Sequence, residues 1–329
     1  MSDGLDRAGM VLLRSAALEV HIWAGKGADI CSLIDRRSGI DLLWHTPWTV
    51  GEPAGIPWTG DSQTDWLARY PGGWQQLVPN AGPARVVGGV RQGYHGEAAI
   101  RPWRVLDVGA DRVVLAVELF TAPVRLTRSV RLDGDTLAVE DELVNLSDEA
   151  LDVRWVQHPG FGAPFVDEHC VIESGATTFV SDAEAPGSLL AADRASDWPF
   201  AVGSDGSAVD LRRVPSGRRS VFGALTDFES AWFSITSPTT GLVMRMDWDA
   251  DVFPHAWFWQ ELHASAGFPW FRRAYVVAVE PANVLPGEGA VGKRVRGAAP
   301  RLDPTERRRS ELTVTVRAIG QPASGDLLP

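Results

Sequence analysis

The sequence predicts an all-β protein, a large antiparallel β-sandwich. Short apolar runs that alternate with polar residues recur along the chain, and turn-forming residues separate them. No long stretch carries the apolar period of a helix, and strands that follow strands without intervening helices favour an antiparallel fold over an α/β fold. We expect a single domain over residues 1–320 and a flexible C-terminal tail over residues 321–329.

The first strands are expected between Val11 and Trp48, where Gly25, Gly27 and the Ser38–Gly39 pair mark tight turns. Residues 51–93 differ from this pattern, because proline, glycine and tryptophan are frequent there and periodicity is weak. A long irregular segment inside a compact domain is typical of a functional loop, and its aromatic residues predict that this one is packed.

The clearest local signal is a β-hairpin. Apolar residues alternate from Val124 to Leu132, Asp133–Gly134 forms the turn, and alternation resumes from Leu137 to Leu143. The same pattern predicts later strands, at Phe233–Ile235, Leu242–Trp248, Val276–Glu280 and Leu312–Val316.

The amino-acid composition limits the kinds of partner that the protein is expected to bind. A chain of 329 residues with 45% hydrophobic and 22% charged residues is long enough to bury a large core. The net charge of −11 argues against a nucleic-acid partner, which requires clustered Lys and Arg. The 14 tryptophans suit either a thick sandwich core or platforms that stack on sugars.

Targeting and metal signals are absent from the sequence. No apolar run reaches the ~18 residues of a membrane span, and the N-terminus lacks the pattern of a secretory signal. Cys31 and Cys170 match no metal-binding spacing. We therefore expect a cytoplasmic protein with no membrane partner, no metal and no cofactor.

Three polar residues stand beside turn formers: His95 in YHGEAAIRPW, His158 in QHPGFG and Glu280 in AVEPAN. Because Pro159 has no N–H to donate, strand pairing is expected to stop there and leave His158 at an edge. Taken singly, each residue has an ordinary structural interpretation: a loop histidine, a histidine at a strand end and a glutamate that points to water. Together, a carboxylate and an imidazole form a natural base and acid near neutral pH, so the pattern indicates proton transfer.

In their order and spacing, several segments resemble the aldose 1-epimerases, or galactose mutarotase-like proteins. The similar segments are GADICSLIDRRSGIDLLW at 27–44, GGWQQLVPNAG at 72–82, His-Gly followed by Pro-Trp at 95–103, QHPGFG at 157–162 and VEP at 279–281. The resemblance covers most of the chain. It implies a galactose mutarotase-like β-supersandwich with a sugar groove on its concave face.

The resemblance also implies roles for individual residues. His158 resembles the general acid at the ring oxygen, Glu280 the general base at the anomeric hydroxyl, and His95 an assisting histidine. Asp227 resembles an aspartate that holds a sugar hydroxyl. Further candidates for the substrate site are Gln75 and Asn80 as amide ligands and Trp257 and Trp259 as stacking platforms, although core packing is an equal reading of each tryptophan.

These features predict an aldose 1-epimerase that interconverts the anomers of a monosaccharide as a monomer or homodimer. The rate is expected to follow a bell-shaped pH profile, with the carboxylate lost on the acid side and the imidazolium on the alkaline side.

Two alternatives stay open: a non-catalytic carbohydrate-binding protein on the same fold, and an epimerase for a phosphorylated or sulfonated sugar. Arg101, joined by Arg69 or Arg85, is the candidate ligand for such an anion. Ala99 stands where relatives that act on hexose phosphates carry an arginine.

Overall fold

The computed structural model describes residues 9–48, 55–182 and 188–321. In these residues strands dominate, accompanied by one short α-helix, α1 (Ser62–Ala68), and a 3₁₀ turn at Ala98–Ile100. The strands are β1 (Met10–Arg14), β2 (Leu18–Trp23), β3 (Asp29–Asp35), β4 (Ile40–Asp41), β5 (Trp74–Leu77), β6 (Arg85–Val87), β7 (Val90–Gln92), β8 (Arg104–Val108), β9 (Arg112–Glu118), β10 (Val124–Asp133), β11 (Thr136–Asn145), β12 (Leu151–Asp152), β13 (Val156–Gly162), β14 (Val171–Ser181), β15 (Ala195–Asp197), β16 (Phe200–Val202), β17 (Ala208–Asp210), β18 (Arg219–Ser237), β19 (Leu242–Trp248), β20 (His255–Leu262), β21 (Tyr275–Ala282), β22 (Ala290–Val291), β23 (Arg294–Val295), β24 (Arg301–Leu302) and β25 (Arg307–Ala318). The predicted all-β class is confirmed, and the predicted tail lies outside the described residues apart from Gln321.

The main sheet is antiparallel and continues from one layer of the sandwich into the other. The strand order is β1-β2-β3-β5-β13-β21-β20-β18 in the first layer and β18-β19-β25-β11-β10-β9-β8 in the second. Strand β18 belongs to both layers, because residues 219–226 pair with β20 and residues 232–237 pair with β19. Asp227, with φ at 55°, lies between these two halves.

A single large apolar cluster fills the space between the layers. It combines alternate residues of both layers, such as Val20 of β2 and Val314 of β25. The predicted hairpin is confirmed as β10 and β11, which pair from Val124 to the turn after Asp133. The period-two alternation in the sequence therefore marks the faces that bury this core.

A buried polar network lies under the middle of the first layer. Arg128 donates from Nε and Nη2 to the two oxygens of Asp141, at 2.9 and 3.1 Å, and from Nη2 to Oε1 of Gln157 at 2.9 Å. Gln157 in turn donates to Asp141 at 2.8 Å and accepts from the indole of Trp74 at 2.9 Å. Because the buried charges are paired and bonded, the network holds β13 in a fixed position on β5.

Strand β13 departs from the sequence prediction. Pairing was expected to stop at Pro159, but β13 continues to Gly162 and is buried on both faces. The prediction was wrong because Pro159 lies within a gap of the ladder to β21 only, between the pairs Val156–Ala282 and Gly160–Ala278, while β13 stays paired with β5 up to Pro159. His158 therefore lies inside the sheet, beside that interruption, and not at a strand edge.

No helix within the described ranges is long and apolar enough to cross a membrane.

Candidate active site

A cavity of about 600 Å³ opens on the face of the first layer that points away from the core. Its walls come from β13, β20 and β21, from helix α1 and from the loops around residues 82–95, 270 and 286–288. The described lining residues are Trp66, Leu67, Tyr70, Gly82, Pro83, Tyr94, His95, His158, Asp182, Phe222, Trp257, Trp259, Trp270, Glu280, Pro286, Gly287 and Glu288. Polar side chains meet at the strands, and aromatic rings form most of the surrounding wall.

Strand register brings the catalytic candidates together. Glu280 of β21 lies directly opposite Trp257 of β20, and Trp259 lies opposite Ala278, so the period-two alternation points both tryptophans and the carboxylate to one face. The interruption between β13 and β21 leaves His158 next to Glu280, with Nε2 of the imidazole 3.7 Å from Oε1 of the carboxylate. The sheet therefore places an imidazole and a carboxylate side by side at the base of the cavity.

Two hydrogen bonds between His95 and Gly82 hold the loop that carries His95. The N–H of His95 donates to the carbonyl of Gly82 at 3.0 Å, and the N–H of Gly82 donates back to Nδ1 of His95 at 3.0 Å. Because Nδ1 accepts a hydrogen bond, the neutral imidazole carries its proton on Nε2. Gly96 permits this loop, since a Cβ there would lie 2.3 Å from the carbonyl oxygen of Val78. His95 therefore offers an N–H donor to the cavity.

Besides Phe222 of β18, four aromatic wall residues were missed by the sequence reasoning. Trp66 lies on α1 and Tyr70 just after it, while Tyr94 and Trp270 come from loops. The rings of Trp66 and Tyr70 pack 6.0 and 5.7 Å from the ring of His158. These residues lie in segments without periodicity, so only their aromatic character signalled them.

Burial sets the protonation of the central pair. It raises the pKa of Glu280 well above its usual range. It lowers the pKa of His158 to about 4, opposed by the histidine's own backbone carbonyl and reinforced by the positive charge of Lys26. Burial, together with the neighbouring His158, also lowers the pKa of His95 well below its usual range. At neutral pH both imidazoles are therefore uncharged, and the carboxyl group of Glu280 holds a proton more tightly than the imidazole of His158 does.

The charged groups of the cavity wall are acidic. Asp182, Glu280 and Glu288 are carboxylates, and neither Lys nor Arg occurs among the described lining residues. Glu288 lies at the rim, where Arg154 donates to it at 2.7 Å. The described lining therefore offers no Lys or Arg side chain that could pair with an anionic ligand.

Four of the predicted substrate ligands do not line the cavity. Asn80 is fully buried and its amide nitrogen donates to the carbonyls of Pro83 and Gly93, so it holds the loop in place. Gln75 is also fully buried. Arg101 is a partly exposed side chain 3.9 Å from Glu97, and Asp227 forms an ion pair with Arg294 at the bend of β18.

The other arginines considered as anion ligands are also engaged elsewhere. Arg69 donates to the backbone carbonyls of Asp65 and Ile56, and Arg85 pairs with Asp152 at 2.9 Å. In the part of the chain that the structure describes, no group of His, Cys, Asp and Glu side chains is arranged to hold a metal ion.

Solved structures share this fold at low sequence identity. The Slr1438 protein of Synechocystis is similar over 97% of this chain and 99% of its own, with a TM-score of 0.68 and 16% identity. A galactose mutarotase-like protein of Clostridium acetobutylicum matches over 94% and 95%, with a TM-score of 0.67 and 14% identity. The GalM/aldose epimerase homologue of C. elegans matches over 95% and 99%, with a TM-score of 0.65 and 12% identity. The galactose mutarotase-like fold expected from the sequence is confirmed.

No curated protein matches the sequence. A family model does match, over residues 7–195, which is more than half of the chain. The chain therefore belongs to the family described as a domain of unknown function, DUF4432.

Proposed function

We propose that the protein is an aldose 1-epimerase that interconverts the α and β anomers of a neutral monosaccharide. The observation that carries the proposal is the 3.7 Å separation of His158 Nε2 and Glu280 Oε1 at the base of an aromatic-walled cavity. Ring opening of a hemiacetal needs one proton removed from the anomeric hydroxyl and one added to the ring oxygen. Both oxygens are bonded to the same carbon, so acid and base must lie this close together.

The reaction follows from this pair. In the form of the pair whose proton lies on His158, Glu280 takes the proton of the anomeric hydroxyl while His158 gives its proton to the ring oxygen. The bond between C1 and the ring oxygen then breaks to leave an open-chain aldehyde. After rotation about the C1–C2 bond, the ring hydroxyl attacks the other face of C1, and both protons return. Each group therefore acts once as acid and once as base, and no electrons leave the system.

The remaining wall suits a sugar ring. The N–H at Nε2 of His95 is a donor for a sugar oxygen, and the flat faces of Trp257 and Trp259 are platforms for the C–H faces of the ring. The indole N–H of Trp257 already donates to the carbonyl of Val284 at 2.7 Å. That bond holds the ring in place, so its apolar surface is what it offers to the substrate.

The rate should follow a bell-shaped pH profile, but the residue responsible for each limb should be the opposite of the one expected from the sequence. The reaction uses the pair with a single proton. As pH falls, the carboxyl group takes that proton at its raised pKa and the imidazole takes a second near its pKa of about 4. Activity is then lost on the acid side through His158 and on the alkaline side through Glu280.

Measuring kcat against pH at two temperatures distinguishes the two assignments. Carboxyl ionisation changes little with temperature, whereas imidazole ionisation shifts. We expect an alkaline limb that stays in place and an acid limb that moves. A temperature-sensitive alkaline limb would restore the original assignment.

The acidic wall makes neutral sugars the preferred substrates over sugar phosphates. A phosphate placed in this cavity meets acidic side chains and no described lining Lys or Arg that could pair with it, and this should lower kcat/KM by about 10- to 100-fold. Exchange NMR on glucose, galactose and their 6-phosphates tests this, and high salt should narrow the difference by screening. Faster exchange of the phosphates at low salt would favour the anionic-sugar alternative.

A further inference from the structure

Gln75 lies directly opposite His158 in the β5–β13 ladder. The pair two residues further along, Leu77 and Val156, belongs to the apolar cluster on the cavity side of the sheet. Alternation therefore puts the side chains of Gln75 and His158 on the same face. Gln75 is nevertheless fully buried and does not line the cavity, so it neighbours the imidazole without reaching the substrate.

The orientation of the Gln75 amide is determined by its surroundings. Its nitrogen donates both hydrogens, one to the carbonyl of Gly72 and one to Oδ2 of Asp29 at 3.3 Å. Exchanging nitrogen and oxygen would put the amide oxygen against two acceptors, so the assignment is unambiguous. Asp29 is itself ion-paired with Lys26, and both side chains are fully buried. The buried pair thus anchors the amide and leaves Oε1 as an open acceptor.

Two buried atoms on these opposed residues lack hydrogen-bond partners among the described residues: Oε1 of Gln75 and Nδ1 of His158. Leaving a buried polar atom unpaired costs about 1–3 kcal/mol. Directly opposed residues of an antiparallel pair have Cβ atoms about 4.5–5.5 Å apart, so a rotation of the His158 imidazole can bring Nδ1 toward the anchored amide. Oε1 of Gln75 can only accept a hydrogen bond, and Nδ1 of His158 becomes a donor when it carries a proton.

We propose that Gln75 is a positioning residue whose amide oxygen accepts the Nδ1–H of His158. This bond selects the neutral tautomer with its proton on Nδ1. Nε2, the nitrogen that faces Glu280, is then the atom that gains and loses the proton in catalysis. The same bond stabilises the imidazolium that forms during the reaction. The role of this bond in catalysis rests on the proposed function, whereas the tautomer of His158 can be measured in the protein without any substrate.

Other groups around His158 have different roles. The titratable or charged groups that face it are Glu280 from β21, His95 from its loop, Tyr70 after α1 and the buried Lys26–Asp29 pair. The hydroxyl of Tyr70 also lacks a partner among the described residues, as does Oε2 of Glu280. Burial and then the charge of Glu280 raise the pKa of Tyr70. Tyr70, whose ring lies 5.7 Å from that of His158, is the competing acceptor for Nδ1–H, and the Tyr70→Phe variant separates it from Gln75.

The test is NMR of protein carrying ¹⁵N-labelled histidine, combined with anomer-exchange kinetics. In the unmodified protein His158 should be neutral at pH 7 with its proton on Nδ1. Gln75→Leu should shift the imidazole toward the Nε2–H tautomer and lower kcat by about 10- to 100-fold with KM little changed, as expected for a misoriented catalytic group. Gln75→Glu keeps an acceptor oxygen, and its second oxygen can carry a proton and donate to Gly72 or Asp29, so this variant should retain the Nδ1–H tautomer.

Gln76→Leu is the matched control, because Gln76 is a buried neighbour that faces the core, where it accepts from the indole of Trp155 at 3.2 Å. It should leave the tautomer of His158 unchanged. An unchanged tautomer in both Gln75 variants, or a tautomer that responds to Tyr70→Phe instead, would overturn the proposal. If the unmodified protein exchanged no sugar anomers, the proposed function would fail while the tautomer still decided the role of Gln75.

Discussion

Replacing Glu280 by glutamine is expected to lower kcat for anomer exchange by about 10²- to 10⁴-fold while sugar affinity changes little. The amide keeps the shape of the carboxylate and its ability to bond a hydroxyl, but it cannot accept a proton. Exchange NMR gives kcat, and titration with sugar gives affinity.

The unfolding midpoint of the Glu280→Gln variant is the control that shows whether its fold is intact. Glu280 is only 2% exposed, and burial disfavours its ionised form, so a neutral amide should not lower the unfolding midpoint. A stable variant that retained the full rate would remove Glu280 from the mechanism. A variant that lost sugar binding together with rate would make Glu280 a ligand and not a base.

His158→Asn should lower kcat to a similar degree, by about 10²- to 10⁴-fold, because asparagine cannot shuttle a proton to the ring oxygen. The double variant, His158→Asn with Glu280→Gln, carries the sharper prediction. Since both residues act on one transition state, the loss in the double variant should fall well short of the product of the single losses. Losses that multiplied would mean that the two groups act independently.

The sequence predicted the fold well because the sandwich is built from local patterns. The alternation in β10 and β11 and the Asp133–Gly134 turn are sufficient to specify a hairpin with its faces. The position of Pro159 was misread, because the effect of a proline depends on which neighbouring strand needs its N–H. That neighbour, β21, is more than one hundred residues away in sequence and leaves its ladder open at this position.

The candidate site was predicted in part. His95, His158, Glu280, Trp257 and Trp259 all line one cavity, because strand alternation and glycine-rich turns reveal which side chains leave the sheet. A sequence pattern predicts the face of the strand on which a side chain lies but not how deeply it is buried. Gln75 and Asn80 were therefore expected at the substrate although they are fully buried.

Arg101 and Asp227 illustrate a second limit of sequence reasoning. Arg101 lies near Glu97, and Asp227 pairs with Arg294, a residue distant in the chain. Whether a charge faces the cavity or an ion-pair partner depends on tertiary contacts that no local pattern reports. The other aromatic residues of the wall, Trp66, Tyr70, Tyr94, Phe222 and Trp270, were missed for the same reason.

The most direct test follows a neutral aldose, dissolved as a single pure anomer, by NMR at neutral pH with and without a catalytic amount of protein. If the His158–Glu280 pair opens and closes the sugar ring, the unmodified protein accelerates the approach to anomeric equilibrium, and Glu280→Gln at the same concentration gives almost the buffer rate. If the unmodified protein binds glucose or galactose yet leaves the buffer rate unchanged for every neutral sugar tested, the cavity is a carbohydrate-binding site without catalysis.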